Sequence, residues 1–180
     1  MSESRAKKRC VCGQSKTHSL CDDKYSPTNF SLLPKVGGAY VLELNVDKKI
    51  SLRVGRLGLL EFEMGRYLYI GSAYGPGGIA ARVTRHLKRK GRRLHWHIDY
   101  LSAEFGVERA WCIPEGDECE IVSTLLADPK TSTPFAGFGS SDCSKCSAHL
   151  LLSNSHQTLH QRLSNELNES CITYFSEGQI

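Results

Sequence analysis

The chain has 180 residues, of which 40% are hydrophobic and 23% charged, with 23 Lys+Arg against 19 Asp+Glu for a net charge of +4. This is globular composition at the length of one domain, which argues against disorder throughout. No run of about 18 apolar residues occurs and no apolar segment follows the early basic cluster. A spanning helix and a secretory signal are therefore not expected, and the expectation is a soluble intracellular protein, cytoplasmic or nuclear.

Residues 1–34 are polar and end at Pro34 and Gly37-Gly38, and they are expected to form a flexible, Cys-containing tail. Within it Cys10, Cys12, His18 and Cys21 are four ligand-type side chains in twelve residues, at no recognised finger spacing. From Ala39 the texture changes. Tyr40, Leu42, Leu44 and Val46 alternate with Val41, Glu43 and Asn45, the pattern of a half-buried strand. Ile50, Leu52 and Val54 alternate again after Asp47-Lys48, which predicts an antiparallel hairpin between the two runs. A third strand is expected at Tyr67–Ile70. The Gly-rich loop 74–78 then leads into a helix expected over 78–90, where Ile79, Val83 and Leu87 form one apolar stripe. Arg82 and His86, four apart, share a face of it.

A short helix or turn is expected over 95–101 and a strand over 107–113. A helix should follow Glu115-Gly116-Asp117, with Ile121, Val122, Leu125 and Leu126 on its period. Residues 131–147 read as irregular and 150–152 as a last strand. The expected domain is 35–153, followed by a polar C-terminal tail at 154–180. This order predicts an α+β (α/β) fold: a small mixed, mainly antiparallel, three-stranded central sheet flanked by helices.

The charge is unevenly placed. From Met64 to Ile98 there is no acid, while Arg66, Arg82, Arg85, Lys88, Arg89, Lys90, Arg92 and Arg93 contribute +8, twice the net charge of the whole chain. Such a segment suits a polyanion, or it is a solvated helix face. Eight cysteines in a chain expected inside the cell favour metal ligation or buried thiols over disulfides. Cys143, Cys146 and His149 have ligand-like spacing for zinc, or form a packed turn; whether Cys119 approaches them is not visible in sequence.

Gly38-Ala39-Tyr40 and Tyr69-Ile70-Gly71 resemble the paired signatures of the GIY-YIG nuclease superfamily. Arg82 with His86 matches the family's spacing on the helix after the second signature, His95 stands where some members carry a second His, and Glu118 matches the metal-binding Glu by the apolar pair at Ile121 and Val122. The phrases Tyr67–Ala73, His95–Leu101, Glu118–Glu120 and Phe138–Cys143 look like one subgroup, sometimes fused behind endonuclease III-type DNA glycosylases. Ala39 replaces the usual Ile, the 74–78 loop is longer than in shorter members, and the family's late Asn has no match, with Ser140, Ser141 or Asp142 in its region.

The resemblance implies a metal-dependent DNA endonuclease, structure-selective and connected with repair, acting with one Mg²⁺ or Mn²⁺ held by Glu118. Arg82 would stabilise phosphoryl charge, and Tyr40 with Tyr69 or His86 would activate water. His95 is expected to face the same site, whereas His97 and Asp99 are expected to form a structural pair. Arg85, Lys88, Arg89, Lys90, Arg92 and Arg93 would contact the backbone of DNA, with RNA left open. The rivals are a non-catalytic nucleic-acid-binding module with the same fold and a zinc-stabilised adaptor.

Overall fold

In the computed structural model, which describes residues 33–154 except 89, 90 and 92, strand β1 (Gly38–Val46) runs through the middle of the molecule. Strand β4 (Gly65–Ser72) takes one of its edges and β5 (Arg109–Pro114) the other, both antiparallel, so that Tyr40 lies opposite Gly71 on one side and Cys112 on the other. Beyond β4, strand β7 (Leu150–Ser153) and the two-residue β6 (Thr131–Ser132) extend the sheet to the order β5-β1-β4-β7-β6. The fold is α+β as expected, but the main sheet has five strands where three were expected, is antiparallel throughout, and leaves out the expected strand at 50–54.

The expected hairpin is different. Strand β2 (Ile50–Val54) pairs with β3 (Gly58–Phe62), around a 3-10 turn at Gly55–Leu57, and not with β1. The reason is that a strand has two edges, and both edges of β1 are already occupied by longer ladders. The β2–β3 ribbon instead lies over the sheet, where Ile50, Leu52 and Leu60 pack on the core.

Both faces of β1 are covered, which corrects the half-buried expectation. Tyr40, Leu42, Leu44 and Val46 face helices α1 (Gly78–Leu87) and α2 (His97–Phe105). Ala39 and Val41 face the other way, with Leu68, Ile70 and Trp111, under α3 (Glu118–Leu126), whose Ile121, Val122 and Leu125 are buried. Alternating strands with apolar residues in both phases are what a sheet sandwiched between helices requires. Helix α1 stops at Leu87, three residues short of expectation, because Lys88 turns extended. Helix α2 starts at His97, later than expected, because the Asp99 carboxylate accepts from the N–H groups of His95 and Trp96 and holds them outside the helix. Among the described residues no helix is long and apolar enough to cross a membrane. Leu33, assigned to the first expected tail, is buried in the core; apart from Leu33, Pro34 and Asn154, both expected tails lie outside the described residues, as do the cysteines of the first tail and Arg89, Lys90 and Arg92.

Candidate functional site

The apolar stripe of α1 seats Ile79 and Val83 in the core, and the same face places His86 one turn further along, 1% exposed. There its Nε2 meets the Tyr40 hydroxyl at 3.0 Å and its Nδ1 meets Asp99 Oδ1 at 3.2 Å. Asp99 is 0% exposed, and its other oxygen accepts from Arg85 Nη2 at 2.7 Å. Burial works against the Asp99 charge, but the bond from His86, the N–H groups of Trp96 and His95 and the nearby imidazole outweigh it and hold the carboxyl well below its usual range. A carboxylate only accepts, so the neutral imidazole carries its proton on Nδ1 and its Nε2 accepts from Tyr40. Three buried groups from β1, α1 and α2 thus form one chain, Tyr40–His86–Asp99.

Tyr40 is the end of that chain which reaches a surface. It lines an open cavity of about 840 Å³ together with Tyr69, Arg82, His95 and Glu118. The ends of β1 and β4, the first turn of α3 and the loops before α1, α2 and β7 supply its walls. The fit is close at Gly71, where a Cβ would overlap the Tyr40 ring. Burial first, and then the neighbouring Tyr69, push the Tyr40 phenol well above its ordinary value, while the Arg82 guanidinium opposes the rise. Burial raises Tyr69 as well, with Asp99, Asp142 and Glu118 adding to it against Arg82. Arg82 sits 5.3 Å from the centre of the Trp96 ring, so it is held by a π face and keeps its donors for the cavity.

Glu118 is the first residue of α3. Asp117 caps that helix, its Oδ1 accepting from Cys119 N at 2.7 Å and Glu120 N at 3.0 Å. The cap settles which acid enters the cavity: Glu118 lines it, while Glu120 is exposed elsewhere. Asp142, from the loop before β7, lines the cavity too. Asp117 lines the cavity as well but is engaged in the cap, and Glu118 and Asp142 are oxygen donors suited to a hard divalent cation.

Two expectations change. His97 does not pair with Asp99; its Nδ1 accepts from Gly139 N–H at 3.0 Å and its ring packs 5.5 Å from Phe138. Burial, and then the charge of Arg56, lower its pKa, which keeps that nitrogen free to accept. Asp99 is drawn away because α2 turns it inward toward α1. Arg85, expected among the residues that touch the DNA backbone, spends its guanidinium on Asp99 and on the carbonyl of Arg93 at 3.0 Å. Lys88, Arg93 and His95 are exposed.

At the cavity's edge a second constellation closes. Cys119, Cys143, Cys146 and His149 bring their ligand atoms within 4.8 Å of one another, an arrangement compatible with one metal ion. Cys119 is the member that spacing could not supply, since it comes from α3 and the other three from the loop before β7. Burial, followed by bonds to Cys146 and Cys143, pushes its thiol up to about 12.

The fold and the two clusters define an α+β domain whose polar side chains converge on one concave face. The chain belongs to the family described as a domain of unknown function, DUF123, whose model matches residues 39–172. No curated protein and no solved structure matches the chain.

Proposed function

We propose that the cavity is the active centre of a divalent-metal-dependent phosphodiesterase of the GIY-YIG type, an endonuclease whose substrate is DNA. The observation that carries the proposal is the Tyr40 hydroxyl, backed by His86 and Asp99, opening into a space lined also by Tyr69, Arg82 and Glu118. The six residues that the family resemblance singles out lie in one locality, with Tyr40, Tyr69, Arg82, His95 and Glu118 on the cavity wall and His86 directly behind Tyr40.

Each group has a part in hydrolysis. Tyr40 takes a proton from the attacking water while its own passes to His86 Nε2, and the resulting imidazolium is stabilised by Asp99. Arg82 offers a planar donor fork to the phosphoryl oxygens and lowers the cost of a phenolate at Tyr40. Tyr69, from the neighbouring strand, stays protonated and donates. Glu118, with Asp142 beside the same space, would hold Mg²⁺ or Mn²⁺, ions that ordinarily take one or two carboxylates and keep several waters. Bound there, such an ion supplies Lewis-acid stabilisation of the leaving oxygen. The three thiols and His149 are softer donors and on this reading take zinc, apart from the oxygen-donor site.

The test is incubation of the purified full-length chain with branched, nicked and plain duplex DNA in Mg²⁺ or Mn²⁺. Cleavage of at least one substrate is expected, with none from Glu118→Gln. Uncut DNA under every condition, or cutting by Glu118→Gln at the wild-type rate, would overturn the proposal.

A further inference from the structure

The hydrolysis proposed for the cavity makes no direct use of Cys119, Cys143, Cys146 and His149. Their ligand atoms all lie within 4.8 Å of one another, close enough to share one ion. Cys119 Sγ and Cys143 Sγ are 3.5 Å apart, against an edge of about 3.8 Å for a tetrahedron with Zn–S bonds of about 2.3 Å. The Cys146 backbone N–H donates to Cys143 Sγ at 3.4 Å. His149 is 5% exposed, and its Nε2 is buried with no hydrogen-bond partner among the described residues. A buried imidazole nitrogen is rarely left unsatisfied, and one nitrogen of this ring lies within 4.8 Å of all three sulfurs. A ligand bond would satisfy it.

We propose that these four side chains bind one Zn²⁺ in a closed, non-catalytic site, and that this ion is the clamp holding the cavity's carboxylates in place. Four protein ligands fill zinc's usual coordination and leave no position for water, the mark of a structural ion. The ligands are not neutral in position. Cys119 immediately follows Glu118, and Cys143 immediately follows Asp142, so these two cavity carboxylates are each one residue from a zinc ligand. The zinc therefore ties the first turn of α3 to the loop before β7 and fixes Glu118 and Asp142 relative to each other. Backbone bonds between the two segments do not do this: Gly137, Phe138 and Cys143 bond within their own loop or to β7's approach, and α3 is capped by its own Asp117. The zinc site stands without the nuclease proposal, while its effect on Glu118 rests on that proposal.

The experiment uses the full-length chain carrying Cys10→Ser, Cys12→Ser and Cys21→Ser, so that the N-terminal thiols contribute no metal. Elemental analysis should give one zinc per chain, and X-ray absorption at the zinc edge should show three sulfur neighbours and one nitrogen. No zinc, or a ligand set without sulfur, would overturn the site, and wild-type His149 and Cys146 make the result independent of whether a ligand variant folds. The clamp is then tested by Mn²⁺ binding, followed by electron paramagnetic resonance before and after zinc is stripped and restored. Mn²⁺ affinity should fall by about 10-fold or more without zinc and recover when zinc returns. Equal Mn²⁺ affinity in folded protein with and without zinc would overturn the clamp and leave the metal site standing. Absence of Mn²⁺ binding in both forms would overturn the clamp together with the role given to Glu118.

Discussion

At the Tyr40 hydroxyl, one hydrogen bond separates a solvent-facing cavity from the buried His86–Asp99 pair. Tyr40→Phe keeps the ring that fills the space beside Gly71 and removes only the oxygen. If the hydroxyl accepts the proton from water, DNA cleavage should fall by roughly 10²–10⁴-fold, alongside a stability loss of about 1–3 kcal/mol for the broken buried hydrogen bond to His86. Asp99→Asn tests the other end. An amide keeps one accepting oxygen and sets its NH₂ either against His86 or against Arg85 and the His95 and Trp96 N–H groups, all donors, and it removes the charge that pairs with Arg85, at a cost of about 3–5 kcal/mol, readable by denaturant titration. Asp99 also sets a pH dependence. Its folded pKa lies below that of the unfolded chain, so its contribution is complete above about pH 4 and is lost as pH falls through the folded value. His97, lowered by burial and Arg56, acts with the same sign in the range below the ordinary histidine value. Stability should therefore decline on acidification in two stages, and Asp99→Asn should flatten the lower one.

Strand β4 matters to the site less by what it carries than by what it omits. Gly71 stands directly across from Tyr40, and the ring of Tyr40 occupies the volume a side chain would need. Gly71→Ala should cost about 1–3 kcal/mol by overpacking and, by pushing the Tyr40 hydroxyl off His86 Nε2, should lower cleavage well beyond what the stability change predicts. A variant with wild-type activity would show that the tyrosine can shift without consequence. The hairpin that formed between β2 and β3 belongs to this scale as well. Local alternation identified Ile50–Val54 as a strand, but the pairing partner was decided by competition for the edges of β1, which local pattern does not record. Asn45 at the end of β1 is exposed while Val41 is fully buried, so a strand read as one-sided is covered on both faces for most of its length.

Across the whole molecule, the basic segment divides into charges that hold the fold and charges that face water. Arg85 is committed to Asp99, and Arg82 lies in the cavity over Trp96. Lys88 and Arg93 are exposed. Lys88→Ala and Arg93→Ala should each weaken DNA binding and reduce the slope of log K against log salt by about 0.9 for each phosphate no longer neutralised. Arg85→Ala should lower stability instead and leave that slope unchanged; a reduced slope would return Arg85 to the DNA-facing set. The α+β class, the strands expected at 39–46 and 67–70, helix α1 with Arg82 and His86 on it, and a helix beginning after Asp117 were all legible in residue spacing. Each depends on interactions within a few residues: strand alternation, the helical repeat, and an Asp cap that fixes where α3 begins. What lay beyond spacing was every meeting of distant segments. Asp99 behind His86, Asp142 beside Glu118, and Cys119 completing the three ligand types near residue 146 come from pieces of chain separated by 13 to 30 positions. Their meeting is set by how two helices pack on one face of the sheet and a third on the other. Local periodicity fixes which side of an element is buried, and only the packed fold decides which buried side chain it meets.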